Sequence, residues 1–79
     1  VERLESLVLL LARSLVENPD EVEVTGTETD RRVDLRLRVA PEDMGRLIGR
    51  GGRTINAIRT VVKAASVKQG KRVNVEVPD

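Results

Sequence analysis

The sequence predicts an α+β domain: a three-stranded sheet with three helices on one face, in the order helix, strand, strand, helix, helix, strand. Three observations lead there. Aliphatic residues recur at helical spacing over residues 4–15 and 55–65. They alternate with polar residues over 33–39 and 73–77. Between the second and third strand patterns, three glycines in the four residues 49–52 break an otherwise helical stretch.

Taken in order, Leu4, Leu7, Val8, Leu11 and Leu15 form the apolar stripe of the first helix, with Glu2, Arg3, Glu5 and Arg13 off it. Asn18-Pro19-Asp20 is expected to stop this helix, because proline disfavours helical geometry at the residue before it. Val22 and Val24 alternate with Glu21, Glu23 and Thr25 as a short half-buried strand, and residues 26–30 read as a polar turn. Val33, Leu35, Leu37 and Val39 alternate with Asp34, Arg36 and Arg38, so one face of the second strand is aliphatic. The short link favours an antiparallel hairpin. Pro41 suits a first helical turn, and Glu42 and Asp43 suit its positive end, which starts a short helix over residues 42–48. The next helix runs over residues 53–69 on Ile55, Ile58, Val61, Val62 and Ala65, with Gly70 as its C-cap. Val73, Val75 and Val77 alternate with Arg72, Asn74 and Glu76 as the last strand. The sheet's other face, carrying Arg36, Arg38, Asn74 and Glu76, should be wet.

Seventy-nine residues make one domain, 1–79, which buries only roughly 60% of its unfolded surface and leaves little room for a deep catalytic cavity. The chain has no Cys and no His, which removes disulfides, thiolate metal sites, the commonest general base and the usual triads. No enzyme activity, cofactor or metal is therefore expected. A cysteine-free chain suits the cytosol, and a cytoplasmic location is the expectation. No apolar run approaches the ~20 residues of a membrane span, so no membrane association is expected. The first residue is Val1 rather than Met, which implies a trimmed start, and no signal-peptide pattern follows it. Zero aromatic residues exclude stacking platforms for bases.

Net charge is only +1, but its distribution is uneven. Residues 1–44 hold eleven acids and six bases, a balance of −5; residues 45–79 hold two acids and eight bases, a balance of +6. No acidic residue occurs from position 45 to position 75. A half-molecule of one sign points to an anionic partner, against the plainer reading of a solvated helix face.

The glycine run gives that partner a place. Two glycines three apart are weak evidence alone, since at about 7% glycine chance supplies such a pair in roughly one chain in three of this length. The context is specific: Leu47 and Ile48 precede, Arg50 lies inside, Ile55 follows, and helices flank both sides. Without Cβ atoms the loop can take positive φ and let a phosphate approach the main chain. The N-terminal end of the following helix favours anions, and Arg46, Arg50 and Arg53 add charge. The bland alternative is a tight helix–helix turn that needs glycine for packing alone.

Leu47-Ile48-Gly49-Arg50-Gly51-Gly52-Arg53-Thr54-Ile55 resembles the Ile-Gly-x-x-Gly-x-x-Ile signature of KH domains, and the element order resembles their type II arrangement. Nearly the whole chain resembles the bacterial KhpA family of small RNA-binding proteins. The matching stretches are Asn18-Pro19-Asp20-Glu21-Val22, Arg38-Val39-Ala40-Pro41-Glu42-Asp43-Met44-Gly45 and Ala57-Ile58-Arg59-Thr60-Val61-Val62-Lys63-Ala64-Ala65. The resemblance implies that Gly49, Arg50, Gly51 and Gly52 clamp the backbone of about four nucleotides of single-stranded RNA. Arg50, Arg53 and Arg46 would meet phosphates. Ile48, with Ile55 and the strand edge near Leu37 and Val39, would border an aliphatic groove for bases, although plain core is the stronger reading for most of these. It also implies a KhpB-like KH-containing partner, a possible homodimer, and a role as RNA chaperone in cell-wall homeostasis and cell shape. Gly51 departs from loops with two polar middle residues, which leaves one loop side chain and predicts a weak grip.

Three rival readings remain. A helix-turn-helix DNA reader would use Arg53, Thr54 and Asn56 in a major groove. A nucleotide hydrolase fails on spacing, because the P-loop needs Gly-x-x-x-x-Gly-Lys followed by Ser or Thr. An interaction module with degenerate RNA binding would use Leu9, Leu10 and Val16 to dock a partner.

Overall fold

The computed structural model describes residues 2–78. Its central strand is β2 (Arg32–Arg38), flanked by β1 (Glu23–Glu28) and β3 (Arg72–Glu76). Period-two alternation sends Val33, Leu35 and Leu37 to one face of β2, where all three are fully buried. β1 pairs antiparallel, with Val24 opposite Leu37 and Gly26 opposite Leu35. β3 pairs parallel, with Val73 opposite Val33 and Val75 opposite Leu35. Parallel neighbours need a crossover; here it consists of α2 (Met44–Ile48) and α3 (Arg53–Ser66). With α1 (Glu2–Arg13), these helices cover the aliphatic face. Leu4, Val8 and Ala12 of α1, Leu47 of α2, and Ile55, Ile58 and Val62 of α3 close the core over β2. Arg36, Arg38, Asn74 and Glu76 lie exposed on the far face, as alternation requires. The architecture is that of a type II KH domain. Among the described residues, no helix is long and apolar enough to cross a membrane.

Departures from the expected boundaries have local causes. α1 ends at Arg13, five residues before Asn18. The Ser14 hydroxyl donates to the Leu11 carbonyl at 2.8 Å, which competes with helix continuation. Leu15 therefore leaves the helix and is 41% exposed, while Ala12 completes the buried row. In α3 the buried row is Ile55, Ile58, Val62 and Ser66. Val61 (45% exposed) and Ala65 stand outside it, because the sheet accepts a narrower stripe than the apolar residues offer. β1 runs through Gly26 to Glu28, where a turn was expected, since pairing with Val33 and Leu35 overrides the local turn signal. The reversal shrinks to residues 29–31, closed by the Thr29 amide on the Arg32 carbonyl at 2.8 Å. The helix expected over 42–48 opens as a 3₁₀ turn at Pro41–Asp43 before α2. α3 passes into a 3₁₀ turn at Val67–Gln69, and Gly70 ends it at φ 64°.

Asp43 holds the loop after α1 against the start of α2. It is 1% exposed and makes no capping bond to α2. Its carboxylate instead accepts the Glu17 amide, the Asn18 amide and Asn18 Nδ2, each at 3.0 Å. Burial pushes this carboxyl's pKa up, but the Asn18 side chain, the two amides and the charge of Arg46 outweigh it and hold it below the ordinary aspartate value. A depressed folded pKa contributes stability that is present above the unfolded value of about 3.9 and is lost as pH falls through the folded one. Asp43→Asn should therefore lower the melting temperature at neutral pH by on the order of 5–10 °C. Thermal denaturation across pH should show the gap from wild type constant down to about pH 5 and closing only below about pH 4.

Candidate nucleic-acid interface

Residues 49–52 form the sharp corner between α2 and α3. The Gly49 amide closes α2 on the Gly45 carbonyl at 2.9 Å, and the Gly52 amide returns to the Gly49 carbonyl at 3.2 Å. Gly49, Gly51 and Gly52 all have positive φ, at 75°, 65° and 81°. Their reasons for being glycine differ. Gly49, with ψ 171°, occupies a region open essentially to glycine alone. A Cβ there would also meet the Thr54 amide nitrogen at 2.8 Å and the Thr54 Cβ at 2.9 Å, so the packing reading holds at this position. Gly51 has nothing within 4 Å of where a Cβ would stand. Its main chain is open to solvent at the tip of the corner. Gly52 precedes α3 in the left-handed region and makes no side-chain cap, so no protein side chain occupies the positive end of α3 at that position.

Folding sorts the predicted cations. Arg50 and Arg53 are exposed and have no carboxylate partner among the described residues. Arg46 is instead ion-paired with Glu17. Lys71 pairs with Glu28, and Arg36 with Glu76 at 3.7 Å, so acids and bases from opposite halves of the chain meet. The −5 and +6 halves are therefore not two surfaces. Arg53 lines a shallow groove between the end of α1 and α3, with Leu15, Ala57 and Val61, on the flank away from β3. Ile48 is half-buried against the core, and Ile55 is inside it.

At Leu37 and Val39 the core reading holds, and the strand order rules out the groove edge that the resemblance implied. Leu37 lies on the central strand at 0% exposure, and Val39 beyond it is also buried. The free edge that faces α3 belongs to β3. There Arg59 reaches across, its Nε and Nη2 each donating to the Val75 carbonyl at 3.1 Å and its Nη1 to Asn56 Oδ1 at 3.2 Å. Asn56 in turn lies 3.4 Å from where a Cβ on Gly52 would stand. A polar track thus leads from the glycine corner through Asn56 and Arg59 to the backbone edge of β3. Sequence reasoning left Arg59 out of the site and gave Asn56 only a duplex-reading role. Both lie off the apolar stripe, one turn apart, in the acid-free stretch, which was the available signal.

This geometry, a glycine corner on one side of a helix-and-edge-strand groove, sits in a chain whose residues 5–77 match the family described as KhpA/KhpB, KH domain. The chain belongs to that family. It is 51% identical over 74 residues to RNA-binding protein KhpA of Clostridium acetobutylicum, covering 94% of this chain and 99% of that one. The Bacillus subtilis protein of the same name is 44% identical over 78 residues, covering 99% and 96%. Among solved structures, a variant of Aquifex aeolicus Era bound to GDP·AlF₄⁻ superposes with TM-score 0.70 at 17% identity. That match covers 95% of this chain but only 29% of the Era chain, and it speaks to the fold alone.

The KhpA/KhpB-type corner should tolerate substitution unequally. Gly49→Ala should destabilise by about 2–4 kcal/mol, combining a glycine-only conformation with a backbone clash. Gly51→Ala should cost only about 1–2 kcal/mol, since the left-handed conformation alone resists it. Urea denaturation of the two variants measures the difference.

Proposed function

We propose that this KhpA/KhpB-family domain binds single-stranded RNA in the cytoplasm, using the main chain at residues 49–52 as a phosphate clamp. The observation that carries the reading is the solvent-open backbone of Gly51 beside Arg50, which has no carboxylate partner among the described residues, at the end of a groove bounded by Asn56, Arg59 and the β3 edge. The names of the relatives point the same way. Gly52, Arg53 and Ile48 flank the clamp. Arg46 contributes a phosphate contact only by exchanging Glu17 for RNA. With no aromatic side chain, bases are held by edge and aliphatic contacts, which keeps a lone clamp weak. A duplex reader is disfavoured because α2 is five residues long and Asn56 is engaged by Arg59, which itself bonds the β3 edge.

Arg50→Asp with Gly51→Asp tests the clamp. Both positions are exposed, and aspartate tolerates the left-handed conformation better than most residues, so the fold should survive. Fluorescence anisotropy with a short oligouridine should show affinity reduced more than tenfold. In wild type log K should fall with log salt by about 0.7 for each phosphate contacted. Unchanged binding by the folded double variant would point instead to an interaction module, and preference for duplex DNA to the helix-turn-helix reading.

A partner fits the same proposal. Leu10 (66% exposed), Leu15 (41%) and Val61 (45%) lie on the outer flank of α1 and α3, away from β3. We place a KhpB-type KH protein, or a second copy of this chain, on that flank; joining two clamps raises avidity without any new RNA contact. Val61→Asp should abolish co-purification with the partner or shift a homodimer to monomer in sedimentation, with the melting temperature nearly unchanged. The RNA-chaperone role and the link to cell-wall homeostasis and cell shape are supported by the family resemblance.

A further inference from the structure

We propose that the outer edge of β1 accepts an added strand from a protein partner, and that this strand is a basic, extended segment. The inference is independent of the RNA reading and of the partner placed on the α1–α3 flank.

The ladder shows which groups the edge offers. β1 pairs with β2 through six consecutive residues without a bulge. The Thr29 amide bonds the Arg32 carbonyl at 2.8 Å, and that pair continues the same register. Bonded and non-bonded pairs alternate along an antiparallel ladder. Thr27 and Thr25 therefore exchange main-chain bonds with Asp34 and Arg36, while the amides and carbonyls of Val24 and Gly26 point outward. Among the described residues, no strand or side chain meets them there. The other edge differs, since Arg59 takes the Val75 carbonyl of β3. Exposed edges are commonly blunted by lysine, proline or a bulge. β1 reads Glu-Val-Thr-Gly-Thr-Glu and has none of these. Glycine inside a strand also marks the close approach of another backbone, and Gly26 stands in the middle of this edge.

Charge selects the occupant. Residues 14–30 hold six acids and no base. Glu17 and Glu28 are paired across the fold with Arg46 and Lys71. Asp20, Glu21, Glu23 and Asp30 have no cation partner among the described residues. Asp20, Glu21 and Glu23 rim an open groove of about 730 Å³ at the start of β1, with Val39, Pro41 and Met44 in its lining. Arg38, opposite Glu23 in the ladder, also lines it and leaves the acids in excess. On the helix side, Leu7 lines a groove with Ala65 of α3. Leu9, two positions on, therefore lies across the buried row of α1 on the β1 side, where it is half-buried. A second copy of this chain would set acids against acids, and like charges across strands are destabilising. A segment in which lysine or arginine alternates with aliphatic residues meets every feature. Its main chain pairs with Val24 and Gly26, its cations face the acids, and its aliphatic side chains enter the groove and cover Leu9. In strand addition of this kind, main-chain bonds give affinity and side chains give specificity.

The test titrates the full chain with a capped peptide of alternating lysine and valine, about ten residues long, which spans the six residues of β1 at about 3.4 Å each. Its counterpart replaces each lysine with glutamate, and a third peptide keeps the lysines but is N-methylated through its middle, so that neither edge can donate. Wild type should bind the lysine peptide with the Val24 and Gly26 amide resonances shifted in NMR spectra, and the other two at least about fivefold more weakly. Val24→Pro removes an outward amide and no ladder bond, so it should stay folded by circular dichroism and lose more than about fivefold. Glu21→Gln with Glu23→Gln changes two exposed side chains and should lose about three- to fivefold, with a shallower dependence on salt. If Val24→Pro does not fold, the N-methylated peptide carries the same comparison on wild type. Equal binding of the lysine and glutamate peptides, equal binding of the N-methylated one, shifts confined to residues outside β1, or no binding at all overturns the proposal. A wild-type dimer in sedimentation that Val24→Pro dissolves assigns the edge to a second copy and overturns it as well.

Discussion

Parallel pairing of β3 with β2 is the constraint on which the rest of this domain depends. An antiparallel partner could have followed β2 through a short turn; a parallel one requires the chain to cross the sheet and come back. The crossover takes up residues 39–71, and the glycine corner is the bend between its two helices. Because β3 closes on one side of β2 and β1 on the other, β1 and β3 are the sheet's edges, and α3 reaches that of β3 through Arg59. The corner, the polar flank of α3 and the β3 edge come together for that reason.

Core packing then decides which flank of each helix is free. The sheet face offers room for Leu4, Val8 and Ala12 from α1 and for Ile55, Ile58, Val62 and Ser66 from α3. Apolar residues beyond those rows, Leu10, Leu15 and Val61, are left outside on the flank away from β3. Asp43 holds this arrangement at its far end, where three hydrogen bonds to residues 17 and 18 turn the chain between α1 and β1. α1 has already ended at Arg13, where the Ser14 hydroxyl bonds the Leu11 carbonyl and Leu15 leaves the stripe. One buried carboxylate thereby ties the loop after α1 to the segment that leads into α2.

Electrostatics follow from folding more than from order along the chain. Acids of the first half meet bases of the second at Glu17 with Arg46 and Glu28 with Lys71, and exposed pairs of this kind contribute little stability. Their effect is to select which cations remain available. Among the described residues, Arg50 and Arg53 at the corner stay without carboxylates.

The sequence by itself determined the elements and the corner. Val33, Leu35 and Leu37 alternate strictly, and period two leaves only one face for them. The three glycines at 49–52 have no neighbours that could carry a helix through, so their positive φ angles were legible as a break and a candidate clamp. What it could not determine was lateral placement. Alternation put Leu37 and Val39 on the aliphatic face, but it says which face a residue takes and not which strand is central. Gly26 read as a turn because its pairing with Leu35 depends on a strand nine residues away. Arg59 has no local pattern that announces a bond to the Val75 carbonyl, sixteen residues on. The glycine corner was written locally, in torsion angles; the groove it opens onto was decided by tertiary structure, because strand order and edge exposure arise only when distant segments pair.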